Sequence, residues 1–383
     1  MYSEYLKLLV DFSRRYGGDE RFVLAGGGNT SCKEDGFLYV KASGTQLAQI
    51  DENGFVKMEI PKLLEMMEKT YPAGDAEREQ SALSDVMAAV SQENRDRRPS
   101  VECLLHALFP YTYVLHLHPA LVNGVTCAKK GAETIGELFG DSAVWIPLTK
   151  PGYILAMTCH KVFQRYADRG EACPKILFMQ NHGIIVAADT VTELDELMDM
   201  VMERIGGVTP ASPSMKQPDT GVEFAADELK ESYSRHAGSG YILFHTSPTV
   251  SDYVKDENSM KSLLLPFTPD QIVYCKNAFL VLDIAENRAA AFSAFLSEHG
   301  FAPKAAILKG VGIIALGADK KEAETVLSLF LDAVRIAFFS EFFGGPHPLP
   351  EEFISFITGW EAENYRQKKT AEKDDRYDEA ETR

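Results

Sequence analysis

The sequence predicts an α/β protein with a larger N-terminal domain and a smaller C-terminal α/β domain. Short apolar segments typical of strands alternate with amphipathic helical segments, and one strand–turn–strand–helix pattern occurs twice. The chain is also long enough, at 383 residues with 45% hydrophobic content, to bury more than one core.

Local patterns place the N-terminal elements. The amphipathic segment 2–16 predicts a first helix, and the turn Asp35-Gly36 precedes a predicted strand at 37–40. The later elements are helices at 62–69, 81–93, 101–109 and 192–205, a strand at 113–117, and two strand pieces within 176–187 that flank Asn181-His182-Gly183.

The chain divides into four predicted parts. Residues 206–222, rich in Gly, Pro, Ser and Thr, predict a linker between a domain at 1–205 and a domain at 223–366. Residues 367–383 are almost all polar or charged, which predicts a charged tail.

An internal repeat relates the two predicted domains. The segments that begin at Pro174 and Pro303 match at a constant offset, so that His182 corresponds to Val311. The repeat predicts that the C-terminal domain is a degenerate copy without the histidine. Convergent patterning is the alternative, because apolar strands followed by helices resemble one another.

Charge and targeting signals narrow the possible partners. The formal net charge of −17 disfavours nucleic acids and anionic membranes, so a phosphorylated substrate needs a local positive site. The sequence shows neither the apolar core of a signal peptide nor a run of about 18 apolar residues. The six cysteines lack paired short spacings, and together these features predict a cytoplasmic protein with reduced thiols.

Three histidines form the strongest candidate site. His116 and His118 lie at i and i+2 of a predicted strand, so both imidazoles point to one face. His182, in an Asn-His-Gly turn, is a candidate third ligand, and three protein ligands with one open position are typical of catalytic zinc. Histidines at such positions also occur as ordinary core or surface residues.

Glu102 is the candidate general base. It lies in the predicted helix 101–109 among apolar neighbours, and burial beside a metal shifts the proton affinity of a carboxylate. The alternative is a first-turn glutamate that stabilises the helix N-terminus.

Two turns rich in glycine and hydroxyl groups are candidate anion sites. They are Gly-Gly-Gly-Asn-Thr-Ser at 26–31 and Lys-Ala-Ser-Gly-Thr at 41–45. Glycines let backbone N–H groups face an anion, but neither run has the spacing of a Walker A or dinucleotide-binding motif. Each run also fits an ordinary turn.

Five ordered motifs give the chain a family resemblance. The segments GGGNTS, KASGT, PSVE, HLHP and QNHG, over about residues 1–205, resemble the class II aldolase/adducin family. Within it, RPSVECLLHALFPYTYVLHLHP and IPLTKPGY look closest to the aldolase half of bifunctional rhamnulose-1-phosphate aldolase/dehydrogenases, whose dehydrogenase half is not expected here. The resemblance implies an α/β/α layered domain around a mostly antiparallel sheet, and a homo-oligomer, commonly a tetramer.

The resemblance also implies residue roles. His116, His118 and His182 become ligands of Zn²⁺ or another divalent transition metal, and Glu102 becomes the base. The implied phosphate pocket consists of Gly28, Asn29, Ser43, Gly44 and Ser100. The expected substrate is a small phosphorylated sugar, a ketose 1-phosphate like those of rhamnulose or fuculose, which is cleaved to dihydroxyacetone phosphate and an aldehyde.

Two departures from the family pattern leave roles open. Val101 replaces the second serine that often precedes the glutamate, and the tyrosine that some members use as general acid has no clear counterpart. Lys150 and Tyr153 are candidates for the general acid or for a substrate contact. His106, one helical turn after Glu102, is a candidate residue lining the site.

The sequence is also compatible with two other functions. Relatives include sugar-phosphate epimerases, dehydratases and decarboxylases that share the metal site, although epimerases usually have aspartate in place of Glu102. The second is a non-catalytic adducin-like module, which the presence of all three histidines disfavours.

Overall fold

The computed structural model describes residues 3–217 and 227–360, which form two compact units. The first unit contains 3–122, 131–208 and 359–360, and the second contains 123–130, 209–217 and 227–358. The predicted linker and domain boundaries stay predictions, and the predicted tail at 367–383 lies outside the described residues.

The described residues contain eleven strands and fifteen α-helices. The strands are β1 Asn29–Glu34, β2 Phe37–Lys41, β3 Phe55–Glu59, β4 Tyr113–Leu117, β5 Val144–Ile146, β6 Ile176–Met179, β7 Gly183–Ala188, β8 Tyr241–His245, β9 Leu280–Leu282, β10 Ala305–Leu308 and β11 Gly312–Gly317. The helices are α1 Glu4–Gly17, α2 Ile60–Glu65, α3 Asp75–Ala88, α4 Cys103–Leu108, α5 Ala120–Thr126, α6 Gly131–Phe139, α7 Tyr153–Asp168, α8 Val191–Gly206, α9 Asp227–Ala237, α10 Pro248–Val254, α11 Glu257–Met260, α12 Pro269–Cys275, α13 Arg288–His299, α14 Lys320–Ser340 and α15 Glu351–Gly359.

The first unit is built on a seven-stranded sheet in the order β3-β2-β1-β4-β7-β6-β5. The strand pairs are antiparallel except for β5 and β6, which run parallel. The predicted α/β fold with a mostly antiparallel central sheet is therefore confirmed.

Helices cover both faces of this sheet. On one face, Val114 of β4 is fully buried in a cluster with Leu105 of α4 and Leu155 of α7. On the other face, the ring of Phe12 in α1 meets Tyr113 edge-to-face at 5.8 Å. Because strand side chains alternate, His116 shares the α4 face with Val114.

The second unit repeats the last four strands of the first. Its sheet has the order β8-β11-β10-β9, which matches β4-β7-β6-β5, and again only the last two strands run parallel. The register is also the same. Ile176 pairs with Val186 in the first sheet, and their counterparts in the repeat, Ala305 and Ala315, pair with each other in the second sheet. This agreement supports the degenerate repeat that the sequence predicts.

Matching contacts extend the correspondence between the units beyond the sheets. Lys175 forms an ion pair with Glu193, and their counterparts in the repeat, Lys304 and Glu322, do the same. Helix α4 packs on α7 in the first unit, and α9 packs on α13 in the second. The repeated unit is therefore a helix-covered four-strand sheet.

Two predicted helices have different boundaries in the structure: the helix predicted at 81–93 spans Asp75–Ala88, and the one predicted at 101–109 is shorter. The sequence predicts a helix from residue 101, whereas α4 begins at Cys103 with Glu102 at the N-cap position. The Glu102 side chain makes no capping hydrogen bond, so the helix-stabilising alternative for this residue would depend on its charge alone. Residues 3–217 and 227–360 contain no helix with the length and hydropathy of a membrane span.

Candidate active site

The three predicted ligand histidines lie together at the end of β4. His116 is on β4, His118 follows that strand, and His182 is in the turn between β6 and β7. Because β7 pairs with β4, this turn is brought beside the two histidines. One ring nitrogen from each residue lies within 4.8 Å of the others, so the three side chains can hold one metal ion.

Backbone groups orient the imidazoles. The Nδ1 of His116 lies 2.9 Å from the carbonyl oxygen of Ile184, so Nδ1–H donates there and Nε2 faces His118. The Nε2 of His118 lies 2.9 Å from this Nε2. Two ring nitrogens that converge in this way are arranged for a shared proton or cation.

The turn that holds His182 requires particular residues. Asn181 has φ +55°, a left-handed conformation that asparagine tolerates better than most residues. A Cβ on Gly183 would overlap the carbonyl oxygen of Leu117 and lie 2.7 Å from His118 Cδ2. Glycine is therefore needed at residue 183 for the close approach of the two strands, and asparagine suits the conformation at residue 181.

Glu102 lies against the histidine triad. Its Oε2 is 3.2 Å from Nε2 of His116, and its Oε1 is 3.2 Å from Nε2 of His182. The side-chain amide of Asn29 donates a 2.7 Å hydrogen bond to Oε2. Glu102 is only 5% exposed, so these contacts take place away from bulk water.

The environment of Glu102 favours its charged form. Burial raises the pKa of this carboxyl group, but the charges of His116 and His182 and the Asn29 hydrogen bond outweigh burial and lower the pKa to about 2. A carboxylate at this position can accept a proton from a group bound beside the triad.

The glycine-rich turn lies directly beside β4. Gly28 has φ +63°, and a Cβ there would lie 2.8 Å from the carbonyl oxygen of His116. Asn29 then begins β1 and pairs in register with His116. Glycine is needed at residue 28 for both the conformation and the close approach.

The other predicted phosphate-pocket residues lie on two paired segments. The backbone N–H of Ser43 donates to the carbonyl oxygen of Arg98, and that of Ser100 donates to the carbonyl oxygen of Lys41. The Ser100 hydroxyl accepts a 3.4 Å hydrogen bond from the backbone N–H of Glu102. Gly44 follows with φ +75°.

Asn29 has a contact in addition to its predicted role. The family resemblance implies a place for Asn29 in the phosphate pocket, which stays a prediction, and its amide nitrogen donates to the candidate base. The two residues are 73 positions apart, and no local pattern in the sequence links them. The structure thus identifies a positioning residue for Glu102 that sequence reasoning missed.

Lys150 and Tyr153 both contact helix α3. The Lys150 ammonium forms a 2.6 Å ion pair with Asp75, and the backbone N–H of Tyr153 donates to Glu79 at 3.3 Å. The Tyr153 ring lies 4.6 Å from that of Tyr71, and burial raises the pKa of its phenol. Their role as acid or substrate contact stays a prediction.

His106 is a buried neighbour of the site. Its Nδ1 lies 2.7 Å from the hydroxyl of Ser31 on β1, and the residue is fully buried. Burial lowers the pKa of the imidazole to about 3, so this ring is neutral near pH 7. A neutral, hydrogen-bonded ring fits a packing role within the buried core.

Comparison with known proteins identifies a matching family model and a related protein. Residues 7–205, just over half of the chain, match the family model described as Class II Aldolase and Adducin N-terminal domain. A curated relative, the uncharacterized oxidoreductase YuxG of Bacillus subtilis strain 168, is 27% identical over 191 residues. The match covers 48% of this chain but only 26% of the relative, so the chain spans about a quarter of that protein's length.

Solved structures give weaker similarities. The N-terminal class II aldolase domain of a conserved protein from Thermoplasma acidophilum is 24% identical, with a TM-score of 0.47, over 54% of this chain and 94% of that one. L-Fuculose-1-phosphate aldolase from Thermus thermophilus is 15% identical, with a TM-score of 0.32, over 51% and 91% of the chains. The family assignment therefore rests on the family model, and by that match the chain belongs to the class II aldolase and adducin family.

Proposed function

We propose that the chain is a metal-dependent lyase that cleaves a ketose 1-phosphate to dihydroxyacetone phosphate and an aldehyde. The observation that carries this proposal is the convergence of His116, His118 and His182 beside the buried carboxylate of Glu102. Membership in the class II aldolase family supports the reaction class.

The donor set of the triad fits a divalent transition metal. Three imidazole nitrogens, one oriented by the Ile184 carbonyl, suit Zn²⁺ and leave a position for substrate oxygens. When bound, the ion would supply Lewis-acid stabilisation of the negative charge that develops during carbon–carbon cleavage. Zinc is the expected metal, and other divalent transition metals fit the same ligands.

Glu102 would act as the general base. Its carboxylate would remove the proton from the substrate hydroxyl whose oxygen becomes the aldehyde carbonyl. The electrons of the broken carbon–carbon bond would be left on the carbon next to the ketone and delocalise onto the ketone oxygen, and return of the proton from Glu102 to that carbon would complete dihydroxyacetone phosphate. Asn29 would hold the carboxylate in place through its 2.7 Å hydrogen bond.

The phosphate group would bind where the glycine turn and the two paired segments meet. At this place Gly28 and Gly44 would offer backbone N–H groups, and Ser43 and Ser100 would offer hydroxyls, since the backbone N–H groups of these two serines already bond to carbonyl oxygens. Such groups suit a phosphate, because they donate hydrogen bonds without adding a flexible charged side chain.

An assay with a panel of ketose 1-phosphates tests the proposal. Metal-loaded protein is incubated with rhamnulose 1-phosphate, fuculose 1-phosphate and related compounds, and both dihydroxyacetone phosphate and the aldehyde are measured. We expect equal amounts of the two products, and none after chelation of the metal. A change of configuration without cleavage, release of water or release of carbon dioxide would assign the site to an epimerase, dehydratase or decarboxylase instead.

Metal analysis separates an enzyme from an adducin-like module. We expect about one transition-metal ion per chain after incubation with zinc and removal of the excess. A chain that stays metal-free would contradict the lyase proposal. We further propose a homo-oligomer, with a tetramer favoured, which light scattering after size-exclusion chromatography would measure.

A further inference from the structure

The second unit contains a cavity that the proposed reaction does not use. It measures about 530 Å³ and opens to solvent between two walls. One wall consists of α10, α11 and the residues that follow as far as 262, and the other consists of residues 129 and 341–348. Cavities of about 300–1,000 Å³ commonly hold small-molecule ligands, so this volume suits one small metabolite.

Hydrogen bonds hold both walls in place. In the first wall, α10 and α11 each begin with a side chain that caps the helix. In the second wall, the backbone N–H of Lys129 donates to the carbonyl oxygen of Gly345 at 3.0 Å, and that of His347 donates to the carbonyl oxygen of Cys127 at 2.7 Å. The side chains that line the cavity therefore project from fixed backbone segments.

Two carboxylates and a phenol form one part of the lining. Burial raises the pKa of the Tyr253 phenol, and the charges of Glu341 and Asp252 raise it further, so both carboxylates lie near this hydroxyl. The phenol keeps its proton near neutral pH and can donate a hydrogen bond. Within residues 3–217 and 227–360, neither carboxylate forms an ion pair or accepts a hydrogen bond.

Two ammonium groups complete the charged lining. The Nζ of Lys129 and the Oε2 of Glu341 would lie 3.6 Å and 3.9 Å from a Cβ on Gly345, so the two charges flank this glycine. Gly345 has φ +93°, which disfavours any side chain between them. Lys261 brings a second ammonium from the first wall, and neither lysine forms an ion pair in the described part of the chain.

The two signs of charge in the cavity define the ligand. A ligand with only a negative charge would meet Asp252 and Glu341, and a ligand with only a positive charge would meet Lys129 and Lys261. Like charges in contact oppose binding, so a small molecule that carries both charges suits the lining best.

We propose that this cavity binds a free α-amino acid. The ligand's ammonium would lie against Asp252 and Glu341, and its carboxylate would lie against Lys129 and Lys261. Two proline rings in the lining offer an apolar surface to the ligand's side chain. The alternative is that these exposed charges are only hydrated and that the cavity binds nothing.

A binding screen is the first test. The metal-loaded full chain is examined with each common L-amino acid by saturation-transfer NMR, and calorimetry then measures the strongest binder. We expect a dissociation constant of about 10 μM to 1 mM, because salt and water weaken contacts between exposed charges. Absence of binding by every amino acid would overturn the proposal.

Two analogues of the strongest binder test the need for both charges. One is the amine that lacks the carboxylate, and the other is the acid that lacks the ammonium. Each should bind at least about tenfold more weakly than the amino acid, because each loses one set of charge-assisted hydrogen bonds. An analogue that binds as tightly as the amino acid would overturn the proposal.

Substitutions on the two sides of Gly345 should have crossed effects. Lys129→Met should weaken the amino acid about tenfold and leave the amine within about twofold. Glu341→Gln should weaken the amino acid about tenfold and leave the acid within about twofold. Lys130→Met is the matched control, because Lys130 is also exposed, its stem lies against Gly344, and it is not part of the lining.

The control should bind like the wild type, and thermal unfolding checks that all variants are folded. If Lys129→Met or Glu341→Gln does not fold, Lys261→Met or Asp252→Asn replaces it with the same expected result. Wild-type affinity in both charge variants, or an equal loss in Lys130→Met, would overturn the proposal.

A last control separates this cavity from the histidine triad, because amino acids also chelate transition metals. His118→Ala should bind the amino acid as tightly as the wild type does. Loss of binding in this variant would assign the ligand to the metal instead and overturn the proposal. None of these measurements uses a ketose phosphate, so their outcome is independent of the proposed lyase reaction.

Discussion

Two parts of this molecule have the same frame but different chemistry. The sheet β4-β7-β6-β5 and the sheet β8-β11-β10-β9 share strand order, strand direction and register. In the first, the site positions are His116, His118 and His182. In the second, the register places Phe244, Thr246 and Val311 at the corresponding positions.

The replacements in the second sheet serve packing and local hydrogen bonding. The Phe244 ring packs against Gly312, the glycine after the turn. A Cβ on this glycine would lie only 3.0 Å from Cε2 of the ring. The Thr246 hydroxyl donates a 2.6 Å hydrogen bond to the carbonyl oxygen of Val311. The same strand–turn–strand frame therefore positions three side chains in both sheets, and the chemistry of those side chains determines whether they can bind a metal.

The largest expected effect comes from removing one ligand in the first sheet. His118→Ala should abolish stoichiometric metal binding and lower the proposed lyase activity by more than about a thousandfold, since the metal supplies the main charge stabilisation. Metal content by mass spectrometry and product formation measure the two effects.

The matched control for this change is Thr246→Ala in the second sheet. It alters the corresponding position and should leave both metal content and activity unchanged. Equal metal content in His118→Ala and Thr246→Ala would contradict the assignment of the site to the first sheet.

The next effect in size concerns the base. Glu102→Gln keeps the side-chain shape but cannot accept the proton, so kcat should fall by about a hundredfold to ten-thousandfold while the metal stays bound. A single-turnover assay on metal-loaded protein, with metal content measured in parallel, checks this result. Unchanged kcat would remove Glu102 from the proposed mechanism.

Installing the missing ligands is the converse test of the comparison. The triple variant Phe244→His, Thr246→His and Val311→His should bind a second zinc ion in the second unit, at least about a hundredfold more tightly than the wild-type second unit does. Metal titration with the first site blocked by His118→Ala isolates this gain. The double variant without Val311→His is the control, and equal zinc binding in both proteins would show that the turn position is not equivalent to His182.

Periodic patterns made the frame and the triad predictable. The i, i+2 spacing of His116 and His118 fixes a shared strand face, and Asn181-His182-Gly183 marks a turn between two apolar segments. The constant offset of the repeat also placed Val311 opposite His182. The predicted family is confirmed by the family model, whereas the site roles stay predictions.

Contacts distant in sequence could not be predicted. The bond from Asn29 to Glu102 and that from the Lys41 side chain to Gly26 depend on how β1, β2 and the segment before α4 meet. The sequence repeat also did not reveal that β5 and β9 are equivalent strands. The number of residues between Ile146 and its counterpart Leu282 is larger than the constant offset that relates the rest of the repeat. A short strand such as β5 has too little pattern to reveal such a shift.

The smallest expected effect concerns a charge that differs between the two copies. Asp332 in α14 is buried, whereas its counterpart in the first copy, Glu203 in α8, is exposed. Burial raises the pKa of the Asp332 carboxyl group to about 7, helped by Asp270 and opposed by Arg335. The folded state therefore keeps a proton that the unfolded state releases above its ordinary pKa of 3.8.

This difference predicts a stability change with a defined sign. As the pH rises from about 4 to 7, the Asp332 proton contributes less and less to folding, so the free energy of unfolding falls relative to a chain without this group. Asp332→Asn should therefore be more stable than the wild type by up to about 4 kcal/mol at pH 8, with little difference at pH 4. Chemical denaturation of both proteins at several pH values measures the difference, and Glu203→Gln is the control, which should show no such dependence. A constant difference across pH, or the same trend in Glu203→Gln, would mean that burial in the second copy does not hold the proton on Asp332.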